Sequence, residues 1–232
     1  MRDVVVVIAT YNEADNIRQV LDGLQEYQVV VVDDNSPDET GRIAAEYENV
    51  RVINRTGKLG IASAYLCGFQ YALQHYDPKF IVQMDAGLTH NPRNVAQLIR
   101  EAEVHCADLV IGSRFIIAPH LKSYRTMISL GAGWLMRRLG VWAHDATSGF
   151  RCWRSTLLSD ILYRYEPKAT GFAFQLEMLY RARWLTGSRQ GEIIEMPMHY
   201  ALSNSTFKPA MLWEALRVYA GLWRNHFFGG AQ

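Results

Sequence analysis

The residues best suited to chemistry lie in 81-IVQMDAGLTHNP-92, where an apolar run stops on Asp85 and gives way to a glycine and a polar turn with a helix-opening proline. A buried strand that ends this way delivers one carboxylate to the edge of a sheet. Carboxylates spaced Asp-x-Asp at such an edge can hold a divalent cation against phosphates. Here the second position is Gly87, and Thr89 offers only a neutral hydroxyl. Four more polar clusters, 9-ATYNEADN-16, 33-DDNSPDET-40, 54-NRTGKLG-60 and 112-GSRF-115, each follow a short apolar run. Taken singly, Asp, Asn, Ser and Gly in such loops are helix caps and turns. Five of them on one edge point to a nucleotide site.

The elements that must position these residues are legible in the hydrophobic pattern. Val4 to Ala9, Val29 to Val32, Val50 to Ile53, Phe80 to Met84 and Leu109 to Ile111 are apolar runs, interrupted only by Arg51 and Gln83, as in strands covered on both faces. Stretches of helical character, such as residues 14–27 and 93–105, lie between them. This alternation predicts an α/β domain with a mostly parallel central sheet and helices on both faces, with ligands beyond the carboxyl ends of the strands. Past residue 120 the alternation breaks. Helices are expected at about 123–139 and 170–185, flanking the turn-rich 144-HDATSGFRCWR-154, followed by the extended 191-GEIIEMPMHY-200 and an aromatic helix. Residues 1–208 therefore read as one domain, with a ligand half to about 115 and a second half over 116–208; residues 209–232 read as a terminal helix.

Composition narrows the function classes. The 232 residues are 49% hydrophobic, enough for a sizeable core, and a net charge of +1 provides no field for nucleic acid. Cys67, Cys106 and Cys152 show neither disulfide-framework nor zinc spacing, which fits a reducing, cytoplasmic compartment. The apolar start reads as a first strand rather than a signal peptide, and no run approaches the roughly 18 residues of a membrane span.

Eight segments in order, 10-TYNEADNI-17, 31-VVDDNSPDET-40, 58-KLGIASAY-65, 83-QMDAGLTHNP-92, 112-GSRF-115, 145-DATSGFR-151, 171-GFAFQLEM-178 and 192-EIIEMPMHY-200, resemble family 2 glycosyltransferases of the GT-A type. In particular they resemble dolichol-phosphate and polyprenyl-phosphate mannosyltransferases. That resemblance implies inverting transfer of a hexose, mannose from GDP-mannose, to a polyprenyl monophosphate. The alternatives are a UDP-sugar donor with another acceptor, or a nucleotide-binding partner subunit without catalysis. It also implies that Ala9 (in place of the family's proline), Tyr11, Glu13, Val32, Asp34, Lys58 and Ala86 bind the nucleotide sugar. Asp33 binds the ribose or caps a turn. Asp85 would hold Mg2+ or Mn2+ in a site weakened by Gly87. Arg114 and Lys208 would face the leaving diphosphate, with Leu202 where the family has a further arginine. Arg125 and Ser129 would hold the acceptor phosphate. Asp145 and Arg151 read either as a buried pair fixing a loop or as substrate contacts, and at most one of Gln175 and Glu177 points into the site.

A polyprenyl phosphate is already an anionic nucleophile, so it needs no carboxylate to take a proton from it, and no Glu-Asp pair of that kind is present. The tail 209-PAMLWEALRVYAGLWRNHFF-228 gathers Glu214, Arg217, Gly221, Arg224 and Asn225 on one arc and aromatic and aliphatic residues on the rest. It reads equally as a helix in a lipid interface, making peripheral contact with the cytoplasmic membrane face, or as a helix packed on protein.

Overall fold

The computed structural model describes residues 3–116, 124–189, 191–198 and 209–228. Among them, β1 (Val4–Thr10), β2 (Gln28–Asp33), β3 (Val50–Asn54), β4 (Phe80–Asp85), β5 (Leu109–Ser113), β6 (Arg151–Arg154) and β7 (Ile193–Pro197) form one sheet. Its order is β3-β2-β1-β4-β6-β5-β7. Every pairing is parallel except those of β6, which runs antiparallel to both β4 and β5.

Successive side chains of a strand face opposite ways, so a strand buried on both faces must be apolar throughout. β1 shows this directly. Val5 and Val7 enter one core with Tyr65 and Phe69 of α3 (Ile61–His75), whereas Val4, Val6 and Ile8 enter the other with Ile17, Val20 and Leu21 of α1 (Ala14–Asp22). A Cβ at Gly68 would collide with the Val7 side chain, so this glycine lets α3 lie directly on the sheet. The expected helix over 14–27 ends at Asp22, before Gly23, which packs against Pro92. That over 93–105 is a short 3-10 turn (Pro92–Asn94) running into α4 (Val95–Val104), and α2 (Thr40–Ala44) is a single short helix.

Strand β1 lies between β2 and β4, so the chain leaves it in opposite directions on its two sides, which opens a crevice at the carboxyl ends. In register, Ala9 pairs with Val32 on one side and Asp85 on the other. The loop clusters therefore share one edge.

The second half departs from the expected pattern. The end of the turn-rich segment is strand β6, followed directly by α6 (Ser155–Arg164). Arg151 is fully buried and donates to three main-chain carbonyls, of Ser148, Gln175 and Ala146, at 2.9 Å each. α5 (Tyr124–Arg137) and α7 (Ala173–Arg189) match the two expected helices. Residues 173–180 of α7 are buried on every side, the mark of an internal helix. α8 (Pro209–Phe228) packs Val218, Tyr219 and Leu222 against that core.

Candidate active site

Asp85 ends β4 with its side chain 32% exposed, open to the crevice while its base is held. The buried Tyr65 hydroxyl lies 2.5 Å from Asp85 Oδ1 and 3.0 Å from the Met84 carbonyl. Asp85 N–H donates to His90 Nδ1 at 2.8 Å, so that nitrogen is an acceptor and the neutral ring carries its proton on Nε2, 3.8 Å from Asp85 Oδ2. Burial pushes His90 below the usual imidazole range, with the Asp85 charge pulling the other way and Arg114 reinforcing the fall. The ring stacks on Phe150, and a Cβ at Gly149 would sit 3.6 Å from Asp85 Oδ1. His90 therefore braces the strand end from below. Its place in the quoted motif was the signal available for this; the role was not legible.

The turn after Asp85 carries its positive φ at Leu88, 57°, rather than at Gly87. A Cβ at Gly87 would meet the two Glu13 carboxylate oxygens at 3.6 and 3.8 Å. Glu13, expected among the residues that bind the nucleotide sugar, is thus beside the gap that a second aspartate would fill. Burial raises Glu13 above the usual carboxylate range; Asn16, donating to Oε2 at 2.9 Å, works against this and the Asp85 charge adds to it. Thr89 is buried. No cluster of three metal-ligating side chains exists among the described residues. Asp85 and Glu13 are nonetheless hard oxygen donors, and they fit a magnesium-like ion that keeps its waters and is held mainly by substrate phosphates.

On the β2 side, Asp33 caps its own turn, accepting from Thr10 Oγ1 at 2.9 Å, Ser36 N at 2.8 Å and Ser36 Oγ at 2.6 Å. Asp34, expected to bind the nucleotide sugar, turns to Arg55 in a buried ion pair and accepts from Gly60 N–H at 3.1 Å. Arg55 also donates to Ser63 Oγ and the Gly60 carbonyl. Gly60, with φ of 98°, needs its glycine. Lys58 Nζ lies 3.7 Å from the centre of the Tyr11 ring, bringing two expected donor residues together. Ala86 is buried next to Asp85.

On the far side, Arg114 grips Asp145 through Nε and Nη2, both at 2.7 Å, and Nη2 also reaches Thr147 Oγ1 at 2.9 Å. Thr147 Oγ1 lies 3.0 Å from Ser129 Oγ. One hydroxyl therefore joins the residue expected at the diphosphate to one expected at the acceptor phosphate. Glu195 fixes this loop by accepting from the N–H groups of His144 and Asp145. Asp145 thus pairs with Arg114, not Arg151, and Arg151 is a buried scaffold. Gln175 Nε2 would stand 3.5 Å from a Cβ at Gly149, beside Asp85, while Glu177 turns away to accept from Lys168 N and Ala169 N. Only Gln175 faces the site. Arg125 falls in the first turn of α5, with its side chain outside the described residues, as are Lys208 and Leu202.

α8 packs on protein along one face and leaves a second, aromatic-rich face exposed. Ala215, Val218, Tyr219 and Leu222 pack inward, whereas Leu212, Trp213, Leu216, Trp223, Phe227 and Phe228 are exposed. Glu214, grouped in the sequence with the polar arc, turns inward to the loop at Thr170 and Gly171. No helix among the described residues is long and apolar enough to cross a membrane.

A largely parallel sheet with an aspartate at the end of the strand beside its switch point and polar loops gathered along that edge is the arrangement of a nucleotide-diphospho-sugar transferase fold of the GT-A type. The profile of Glycosyl transferase family 2 matches residues 5–185, and the chain belongs to that family of glycosyltransferases. It is 37% identical to the undecaprenyl-phosphate mannosyltransferase of Micrococcus luteus, over 94% of this chain and 99% of that protein. To the polyprenol monophosphomannose synthase of Mycolicibacterium smegmatis it is 34% identical, over 89% and 83%. The mannosyl-3-phosphoglycerate synthase structure from Rubrobacter xylanophilus matches with a TM-score of 0.72 at 17% identity, covering 99% of this chain and 75% of that one. The Mycobacterium tuberculosis glucosyl-3-phosphoglycerate synthase, solved with Mn2+, UDP and phosphoglyceric acid, matches at 0.69 and 19% identity, covering 97% and 78%. These two structures share the fold.

Proposed function

We propose that this enzyme transfers mannose from GDP-mannose to a polyprenyl monophosphate, with inversion, at the surface of a membrane. The observation that carries this reading is the state of the acceptor-side carboxylates. Asp145 is fully buried and held by Arg114, and Glu195 is occupied with main-chain N–H groups, so neither is placed to take a proton from a hydroxyl. A phosphate monoester needs no such base, and the mannosyltransferase names of the relatives point the same way.

In this reading the nucleoside lies along Ala9, Tyr11, Val32, Asp34, Lys58 and Ala86. Arg125 and Ser129 hold the lipid phosphate, and Arg114 with Lys208 faces the diphosphate. An acceptor phosphate oxygen attacks the anomeric carbon from the side opposite the nucleotide. The new C–O bond forms as the bond to the β-phosphate breaks, and GDP departs with the electron pair. No proton must move in that step. Stabilisation is needed where charge collects on the leaving oxygen, the task of preorganised cations. A divalent ion between Asp85, Glu13 and the phosphates would supply further Lewis-acid stabilisation there. The exposed aromatics of α8 suit the lipid interface.

The test is incubation with labelled GDP-mannose, UDP-glucose and UDP-N-acetylglucosamine together with a short polyprenyl phosphate. Labelled lipid from GDP-mannose alone is expected. Label from a UDP-sugar would move the donor assignment, and nucleotide binding without any labelled lipid would overturn catalysis.

A further inference from the structure

Glu214 lies on α8 next to the exposed Trp213, yet its carboxylate points the other way. Oε1 accepts three hydrogen bonds, from Thr170 N at 2.7 Å, Thr170 Oγ1 at 2.9 Å and Gly171 N at 2.8 Å. Residue 171 is a glycine where a Cβ would collide with this carboxylate, so the approach is built into the sequence. The same loop is held from its other side by Glu177, through Lys168 N and Ala169 N.

The loop does not end the chain of bonds. The Thr170 carbonyl accepts from Ala62 N–H at 3.3 Å and stands 3.1 Å from where a Cβ of Gly60 would be. Gly60 in turn donates its N–H to Asp34 and accepts from Arg55 through its carbonyl. Hydrogen bonds from Glu214 to the 170–171 loop and from that loop to Ala62, with the two residues of main chain back to Gly60, therefore link the helix with the exposed aromatic face to the nucleotide edge of the sheet. Glu214 is the only α8 side chain that the described hydrogen bonds place in it.

We propose that Glu214 is a positioning residue that couples the seating of α8 on a lipid surface to the binding of the nucleotide sugar. The inference rests on the functional reading above. A helix drawn onto a bilayer keeps the 168–171 loop, and through it Gly60, in the arrangement that holds Asp34 against Arg55 and presents the neighbouring Lys58, set over the Tyr11 ring, to the donor. Coupling between two binding sites is reciprocal, so the donor must strengthen vesicle association by the same factor.

The experiment is calorimetric titration of the full chain with GDP-mannose, with and without phosphatidylglycerol–phosphatidylethanolamine vesicles, alongside vesicle flotation with and without GDP-mannose. The wild-type protein is expected to bind GDP-mannose about fivefold or more tightly on vesicles. Glu214→Ala should float normally and bind GDP-mannose, but with a vesicle effect near one. Glu214→Gln, which keeps an acceptor oxygen, should fall between, and Thr170→Val guards against a folding failure by removing only the hydroxyl bond. An equal wild-type affinity with and without vesicles overturns the coupling, as does a vesicle effect that survives in Glu214→Ala. A wild-type protein that fails to float, or to bind GDP-mannose at all, overturns the functional reading itself and is recognised by that single measurement.

Discussion

Arg114 and Asp145 meet through two parallel hydrogen bonds of 2.7 Å, the Asp145 side chain fully buried and the Arg114 side chain 22% exposed. The flat, two-pronged geometry fixes the orientation of the guanidinium. A lysine keeps the charge but not the fork. Arg114→Lys is therefore expected to lower kcat about 100-fold, the scale of losing one preorganised donor at a developing charge. Asp145→Ala should also cost about 3–5 kcal/mol of stability, because it strands a partly buried cation. Denaturant unfolding beside steady-state kinetics checks both, and an Arg114→Lys enzyme with near-normal kcat would remove Arg114 from the diphosphate.

Asp85→Ala is expected to abolish turnover with little effect on the fold. Tyr65 keeps the Met84 carbonyl as a partner at 3.0 Å, and His90 Nδ1 accepts from the main-chain N–H at residue 85, which the substitution retains. The stability change should then stay within about 1.5 kcal/mol, the net worth of one hydrogen bond. Near-normal activity in magnesium would refute the assignment of Asp85 to the diphosphate and its cation.

Arg125 and Ser129 lie one helical turn apart on α5, and Ser129 is tied to Thr147 at 3.0 Å. Replacing Arg125 by alanine is expected to raise the KM for polyprenyl phosphate by tenfold or more while leaving that for the nucleotide sugar within about twofold, since a charge-assisted phosphate contact is worth roughly 1.5–3 kcal/mol. Equal losses on both substrates would move Arg125 to the donor side.

The exposed face of α8 can be tested without disturbing the packed one. Trp213 and Phe228 are 72% and 73% exposed, whereas Leu222 is buried. The double substitution Trp213→Ser, Phe228→Ser should weaken vesicle flotation and leave the melting temperature and GDP-mannose affinity in solution unchanged. Unaltered flotation would discard the interface.

The first half of the fold was open to inspection in the sequence because β1 and β2 are buried on both faces and read as apolar runs, and β3 and β4 are each interrupted by a single polar residue, Arg51 and Gln83. β6 was not, because 151-RCWR-154 is short and carries two arginines; Arg151 is buried only because three carbonyls converge on it, a fact of tertiary structure. The loop clusters located the site edge, but partner choice within it was hidden. Asp34 turning to Arg55 and Asp145 turning to Arg114, 31 residues away, depend on which loops meet in space. The helical spacing of α8 marked out a polar arc and an apolar one, but it could not divide the apolar arc into its packed residues, Val218, Tyr219 and Leu222, and its exposed ones, Trp213, Leu216, Trp223 and Phe227, nor say that Glu214 turns inward.

Gly87 marks the clearest departure from the Asp-x-Asp pattern, and its surroundings make the restored residue testable. Its backbone is not in the left-handed region, and a Cβ there meets only the Glu13 oxygens, at ordinary contact distances of 3.6 and 3.8 Å. Gly87→Asp should therefore fold without backbone strain, but it adds a second carboxylate next to Glu13 and a third near Asp85. Like charges at this range disfavour one another's ionised forms, so the metal-free variant should melt below wild type. A divalent cation reverses the sign by giving the carboxylates a common partner. Adding Mg2+ or Mn2+ with GDP should then raise the variant's melting temperature more than that of wild type, and half-maximal activity should come at a lower metal concentration with the same product. A variant whose melting temperature responds to metal no more than wild type does, or whose metal requirement is unchanged, would show that no cation is held between Asp85, Glu13 and the donor phosphates.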